Sequence, residues 1–136
     1  MRRSEISAVL QADIHSVWDI VTDNSNFSWR SDLERIDVSE GGRRFTEFTK
    51  NGFSTDFTVT VKEECRRYEF DMENRNMTGH WTGIFERADN GGTVIHFTEE
   101  LRMKNPLMKL LSHLFMNIGK MQRIFVADLK KALGEE

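Results

Sequence analysis

The stretch Thr93-Val94-Ile95-His96-Phe97-Thr98-Glu99-Glu100-Leu101-Arg102-Met103-Lys104-Asn105-Pro106-Leu107-Met108-Lys109-Leu110-Leu111 changes its hydrophobic period halfway along. Thr93, Ile95, Phe97 and Leu101 keep the two-residue register of a strand with one face on a core. Beyond Asn105 the apolar residues come three and four apart: Leu107, Leu111, Leu114, Ile118, Met121, Phe125 and Leu129, with Leu110, Phe115 and Ile124 widening the stripe. That is the pattern of an amphipathic helix. Asn105 is a good cap, and Pro106 suits the first helical position, where its missing N–H would have had no partner. The spacing predicts one helix from Pro106 to about Leu133, with Lys130 and Lys131 near its end to suit the dipole.

Working back from this junction, the chain reads mostly as strands. Tyr68, Phe70 and Met72 alternate with Glu69, Asp71 and Glu73. Phe53, Thr55, Phe57, Val59 and Val61 alternate with Ser54, Asp56, Thr58, Thr60 and Lys62. Trp81 and Phe85 share one face of another strand, opposite Thr82 and Ile84. Gly41-Gly42, Asn51-Gly52 and Asn90-Gly91-Gly92 mark turns, and Asn-Gly favours a tight hairpin. Six strands joined by short turns between Leu33 and Met103 predict an antiparallel meander. A first strand lies around Ile6–Leu10, and Asp13 caps a helix to about Thr22 carrying Ile14, Val17, Trp18 and Val21. Phe27 and Trp29 are expected in one further helical turn.

A long helix with so broad an apolar stripe must bury it, and the inner face of the sheet is the only partner large enough. The expected architecture is a single α+β domain over residues 1–136, in the order β-α-α-β6-α, its sheet curved around the C-terminal helix. A curved sheet and a helix leave volume between them, and that volume is an apolar cavity. Its expected lining is Phe57, Val59, Tyr68, Phe70, Met72, Trp81 and Phe97 from the strands, and Leu111 and Phe115 from the helix.

This order resembles the helix-grip fold of the SRPBCC superfamily, which groups START-like lipid-transfer domains, plant hydrophobic-ligand carriers and polyketide cyclases/dehydrases. The resemblance spans the chain. It is carried by Ala12 to Asp23 (ADIHSVWDIVTD), Trp29, Gly79 to Glu86 (GHWTGIFE) and Gly91 to Phe97 (GGTVIHF). Family members commonly begin the first helix with Ala-Pro; here Asp13 takes the place of that Pro. The resemblance implies a cavity for a small hydrophobic molecule and leaves the molecule open.

Several function classes are disfavoured. A net charge of -3 argues against a nucleic-acid binder, which needs a concentrated basic face. The single cysteine, Cys65, excludes an internal disulfide, and the scattered histidines form no metal-ligand pair, so neither metal nor cofactor is expected. No apolar run is long enough to span a bilayer, the N-terminus does not read as a signal peptide, and a cytoplasmic location is expected.

The candidates for chemistry are few. Glu99 continues the Thr93, Ile95, Phe97 face, and Glu47 follows Phe45 in the same way. An inward carboxylate beside an apolar cavity has a raised pKa and can accept a proton or anchor a ligand. His113 lies between the apolar and solvent stripes of the helix; Asn74 is a further polar candidate. His15 is expected in solvent, and His80 and His96 on the outer face of the sheet. Cys65 beside Arg66 and Arg67 reads as an incidental thiol. Gly119 either opens cavity volume, lets the helix bend or permits close contact with a strand. The leading expectation is a binding module for a lipid, polyketide or aromatic metabolite. The alternatives are a cyclase/dehydrase-like enzyme using a carboxylate or His, and an interaction module whose sheet pairs with itself in a homodimer or with another protein through an outward patch around Phe48, Ile84 and Val94.

Overall fold

The computed structural model describes residues 1–135, with the side chain of Phe115 outside the described set. Seven strands form one antiparallel sheet: β1 (Arg2–Leu10), β2 (Leu33–Ser39), β3 (Arg44–Thr49), β4 (Ser54–Glu63), β5 (Arg67–Glu73), β6 (Met77–Arg87) and β7 (Thr93–Met103). Their order is β1-β7-β6-β5-β4-β3-β2, so β2 to β7 run as a meander and β1 closes against β7. Helix α1 (Ile14–Thr22) follows β1, and α2 (Pro106–Phe115) and α3 (Ile118–Ala132) follow β7. This is the expected α+β helix-grip architecture.

Alternation places the large residues. Ile95, Phe97 and Leu101 of β7 are fully buried, and Trp81 and Phe85 of β6 and Tyr68 and Met72 of β5 are buried. The registers bring Phe70 opposite Trp81 and Phe57 opposite Met72, so rings from adjacent strands meet on one face. Phe70 and Trp81 stack with centroids 4.9 Å apart and planes 2° from parallel. Gly83 makes this possible, because a Cβ there would lie 2.6 Å from the Trp81 ring. At the hairpin between β3 and β4, Gly52 takes φ +85°, the left-handed geometry the Asn-Gly pair predicts.

Asp13 caps α1, accepting bonds from the backbone N–H groups of His15 and Ser16. Ile14, Val17, Trp18 and Val21 are its buried face, as expected. The segment after it differs from expectation. Phe27–Arg30 makes a hydrogen-bonded turn, with the Arg30 N–H donating to the Phe27 carbonyl at 2.9 Å, and no second helix forms.

The C-terminal helix is also not continuous. Met116 and Asn117 leave helical geometry with ψ of 115° and 94°. The Met116 N–H closes α2 on the Ser112 carbonyl, and the Asn117 side chain caps α3 by accepting from Lys120 N–H. Across the break the stripe is kept only in part. In α3 the buried positions are Ile118 and Leu129 of the expected stripe together with Gln122 and Val126, Met121 is about half exposed, and in α2 Leu107 and Leu114 face solvent. Gln122 locks α3 to β1: it accepts from the Ser4 hydroxyl at 2.7 Å and donates to the Ser4 carbonyl at 3.0 Å. Gly119 sits in the first turn of α3, where a Cβ would meet Arg123 at 3.3 Å and Ser4 at 3.8 Å. The contact with β1 is of ordinary van der Waals length and Gly119 does not line the cavity, so neither a forced close approach nor cavity volume accounts for it.

Candidate functional site

Between the inner face of the sheet and α3 lies a partly open cavity of about 270 Å³. Phe57, Tyr68, Phe70, Met72, Trp81 and Phe97 all line it, as their alternation predicts. Val59 and Leu111 do not line it. Val59 packs into the core beside a register shift in β4, and Leu111 is half-buried on α2, which the helix break turns away. The Phe115 side chain lies outside the described residues. The helical contribution comes instead from Met116, Met121, Gln122 and Phe125. Phe125 reaches the sheet, 6.3 Å from Trp81 and 5.8 Å from Phe97 between ring centroids. Met121 and Phe125 belong to the apolar stripe expected to face the sheet; Met116 and Gln122 do not, Met116 because it sits at the helix break and Gln122 because it is polar.

The polar groups of the cavity cluster around Glu99. Both Glu99 and Glu47 line it, as does Arg30, which nothing in the local sequence marked. The turn after α1 delivers Arg30 beneath the sheet, where its side chain is 12% exposed. Its guanidinium lies 3.4 Å from Glu47 and 3.0 Å from Asp32, and 4.8 Å above the Phe125 ring. Burial alone would lower the Arg30 pKa, but Glu47 and Asp32 hold it above its ordinary value. Burial raises the pKa of Glu47, against the attraction of Arg30.

Glu99 is different. Among the described residues no hydrogen-bond or ion-pair partner holds its carboxyl. Burial, reinforced by the negative charge of Glu47 and opposed by Arg30, pushes its pKa up to about 7. At neutral pH both protonation states are populated, so this one group can donate a hydrogen bond or accept one. The hydroxyl of Tyr68 also faces the cavity; it accepts from the Asn24 amide at 3.1 Å and retains its own proton to donate. Asn74 lines the cavity, but its amide is engaged at the β5–β6 turn with Thr55, Asn76 and Met77.

The histidines lie elsewhere. His113 is exposed on α2 and takes no part in the lining. His80 is on the outer face as expected, held between Asp71 at 2.6 Å and Glu69 at 2.7 Å. Burial opposes the charged ring, but those two carboxylates raise its pKa. His96 pairs with Glu86 and Ser7 on the same face. His15 packs beside Cys65 at 3.4 Å, and with Glu64 the three offer ligand atoms within 4.8 Å of one another at the β4–β5 turn. This surface trio is remote from the cavity lining, and burial with the nearby Glu64 raises the Cys65 pKa. Of the expected outward patch, Phe48 is covered by Arg35, whose guanidinium lies 3.8 Å over its ring, and Ile84 and Val94 are half-buried.

Comparisons with known proteins agree with this fold. A family model described as polyketide cyclase/dehydrase and lipid transport matches residues 1–134. No curated protein matches the chain by sequence. A START superfamily protein from Mycobacterium smegmatis superposes with a TM-score of 0.73 at 13% identity, over 96% of this chain and 95% of that one. The di-domain ARO/CYC protein BexL of the BE-7585A biosynthetic pathway gives 0.77 at 16% identity, over 98% of this chain and 47% of its own. Norcoclaurine synthase from Thalictrum flavum, in complex with dopamine and hydroxybenzaldehyde, gives 0.73 at 10% identity, over 99% and 88%. At these identities the structures share the fold. No helix among the described residues is long and apolar enough to cross a membrane.

Proposed function

The chain belongs to the polyketide cyclase/dehydrase and lipid transport family, and on that premise we propose that it binds a small, ring-rich apolar molecule carrying one polar group that meets Glu99. The observation that carries this reading is a single unpartnered carboxyl in a cavity walled mainly by aromatic and other apolar side chains. The volume, about 270 Å³, is near the lower end of ligand clefts, which begin at about 300 Å³. That favours a compact molecule over a long acyl chain. Apolar burial against Trp81, Phe70 and Phe97 supplies affinity, and Glu99 with the Tyr68 hydroxyl sets orientation.

A second reading is supported by the same group. A carboxyl with a pKa of about 7 is matched to general acid–base work at neutral pH. In a cyclase or dehydrase role, Glu99 would remove a proton from a bound chain and return it to a leaving oxygen, while the Arg30–Glu47 pair keeps the second carboxylate out of the reaction.

Native mass spectrometry of purified protein tests the binding reading. A co-purified molecule of defined mass, retained by the wild type and depleted in Glu99→Gln, is the expected result. Loss of signal from every member of a broad aromatic and polyketide panel would refute it. Turnover of a panel member that stops in Glu99→Gln, with binding intact, would promote the enzyme reading.

A further inference from the structure

We propose that His15, Glu64 and Cys65 form a binding site for a borderline-soft divalent metal ion of the zinc type, which pins α1 to the turn between β4 and β5. The sequence keeps His15 and Cys65 50 positions apart, and folding brings Nδ1 of the one within 3.4 Å of the sulfur of the other. A carboxyl oxygen of Glu64 completes a set in which all three ligand atoms lie within 4.8 Å of one another. An ion about 2.3 Å from sulfur and about 2.0 Å from nitrogen, in tetrahedral geometry, sets those two atoms roughly 3.5 Å apart. The sulfur–nitrogen distance is already that of a ligand pair. Glu64 is exposed, so a side-chain rotation brings its carboxyl onto the same point. Imidazole, thiolate and carboxylate together suit zinc or cobalt over magnesium or calcium, which prefer oxygen alone. Water takes the fourth position.

The surroundings favour a cation. Burial raises the Cys65 pKa, as do the negative charges of Glu64, Asp19 and Asp13, with Arg87 opposing them. Three carboxylates against one guanidinium disfavour a bare thiolate and, by the same field, attract a dication. In the bare chain the thiol donates to His15 Nδ1; on binding, its proton leaves to solvent and the sulfur takes the metal. The backbone holds the thiol in place at a steric cost. The Arg66 N–H closes the turn on the Glu63 carbonyl at 2.9 Å, and within it Cys65 takes φ +60°, where glycine or asparagine is usual. His15 is fixed from the other side, in the first turn of α1, where its N–H donates to the capping Asp13 at 2.9 Å. Both ligands therefore stand on elements placed without the ion. The site lies outside the cavity lining, so it depends on neither reading of the cavity.

The full chain, tag-free and stripped with chelator, is titrated with cobalt(II). A single equivalent should produce the visible bands of tetrahedral cobalt and a near-ultraviolet thiolate-to-cobalt charge-transfer band, and zinc(II) should displace both. Zinc should raise the melting temperature, because the ion binds the folded chain. Cys65→Ser should abolish the charge-transfer band. His15→Gln and Glu64→Ala should each weaken zinc binding by on the order of tenfold or more. Cys65→Gly separates the metal from folding: glycine suits the left-handed backbone, so the variant should melt no lower than the wild type without zinc and gain nothing from zinc. His80→Gln, which removes the ring held by Glu69 and Asp71 on the outer face, should bind zinc as the wild type does. The proposal is overturned if cobalt gives no charge-transfer band in the wild type, or if Cys65→Gly keeps the zinc-dependent rise in melting temperature. It is equally overturned if His80→Gln loses the ion and His15→Gln retains it.

Discussion

Arg30 lies 3.4 Å from Glu47 in the cavity lining and, with Asp32 at 3.0 Å on the same guanidinium, leaves Glu99 as the carboxyl there without a partner among the described residues. Both side chains of the pair are less than one-fifth exposed. Removing one partner of such a pair strands the other charge in a poorly solvated site. Arg30→Met is expected to lower unfolding free energy by about 3 kcal/mol, and adding Glu47→Gln should recover part of the loss. Urea denaturation of the two single variants and the double variant measures the coupling; additive losses would show that the pair does not act as a unit.

The raised pKa of Glu99 has a signed consequence for stability. The folded chain holds this proton up to about pH 7, whereas an unfolded glutamate releases it near 4.5. The contribution is full below the unfolded value and is lost as pH rises through about 7. The total is at most about 3.5 kcal/mol, at about 1.4 kcal/mol per pKa unit. Glu99→Gln should therefore match the wild type at about pH 4 and exceed it in stability at about pH 8. Chemical denaturation at the two pH values checks this, and a variant less stable than wild type at the higher pH would contradict the assignment.

Trp81 is the one tryptophan of the cavity wall; Trp18 and Trp29 lie outside the lining. An apolar ligand that enters the cavity should quench fluorescence in the wild type and in a Trp18→Phe, Trp29→Phe variant. The quench should disappear in Trp81→Phe. Binding should also raise the melting temperature, because a ligand selective for the folded state stabilises it by mass action. A quench that survives Trp81→Phe would place the ligand elsewhere.

Gly83 controls the shape of that wall. A methyl group there would meet the Trp81 ring at 2.6 Å and Phe97 at 3.3 Å. Gly83→Ala must push the indole off its stack with Phe70, at a cost of about 1–3 kcal/mol typical of overpacking. Thermal unfolding should show the loss, and probe affinity should fall with it. An unchanged melting temperature would mean that Trp81 has a second comfortable position.

Asn117 separates α2 from α3 through its side-chain cap on Lys120. Asn117→Ala should cost about 1 kcal/mol, the usual loss of an N-cap. Asn117→Asp keeps an accepting oxygen and should stay near wild type. Equal destabilisation by both substitutions would show that the cap is not what starts α3.

The sequence by itself determined the strands, their order of hairpins, the capped first helix and most of the aromatic wall. Each of these follows from local physics: a two-residue period fixes which side chains share a face, and Asn-Gly or a capping Asp fixes where an element turns or starts. It also identified Glu99 and Glu47 as inward, because parity along a strand carries over to polar residues. Three features needed the tertiary structure. The break at Met116–Asn117 interrupts an apolar spacing that reads as continuous, so Met116 at the junction and the polar Gln122 could not be counted as lining from Pro106, although Met121 and Phe125 lie on the expected stripe. Arg30 sits in a turn with no period at all, and only chain packing carries it to Glu47. The pKa of Glu99 depends on burial and on two charges 52 and 69 positions away in sequence, which no local pattern encodes.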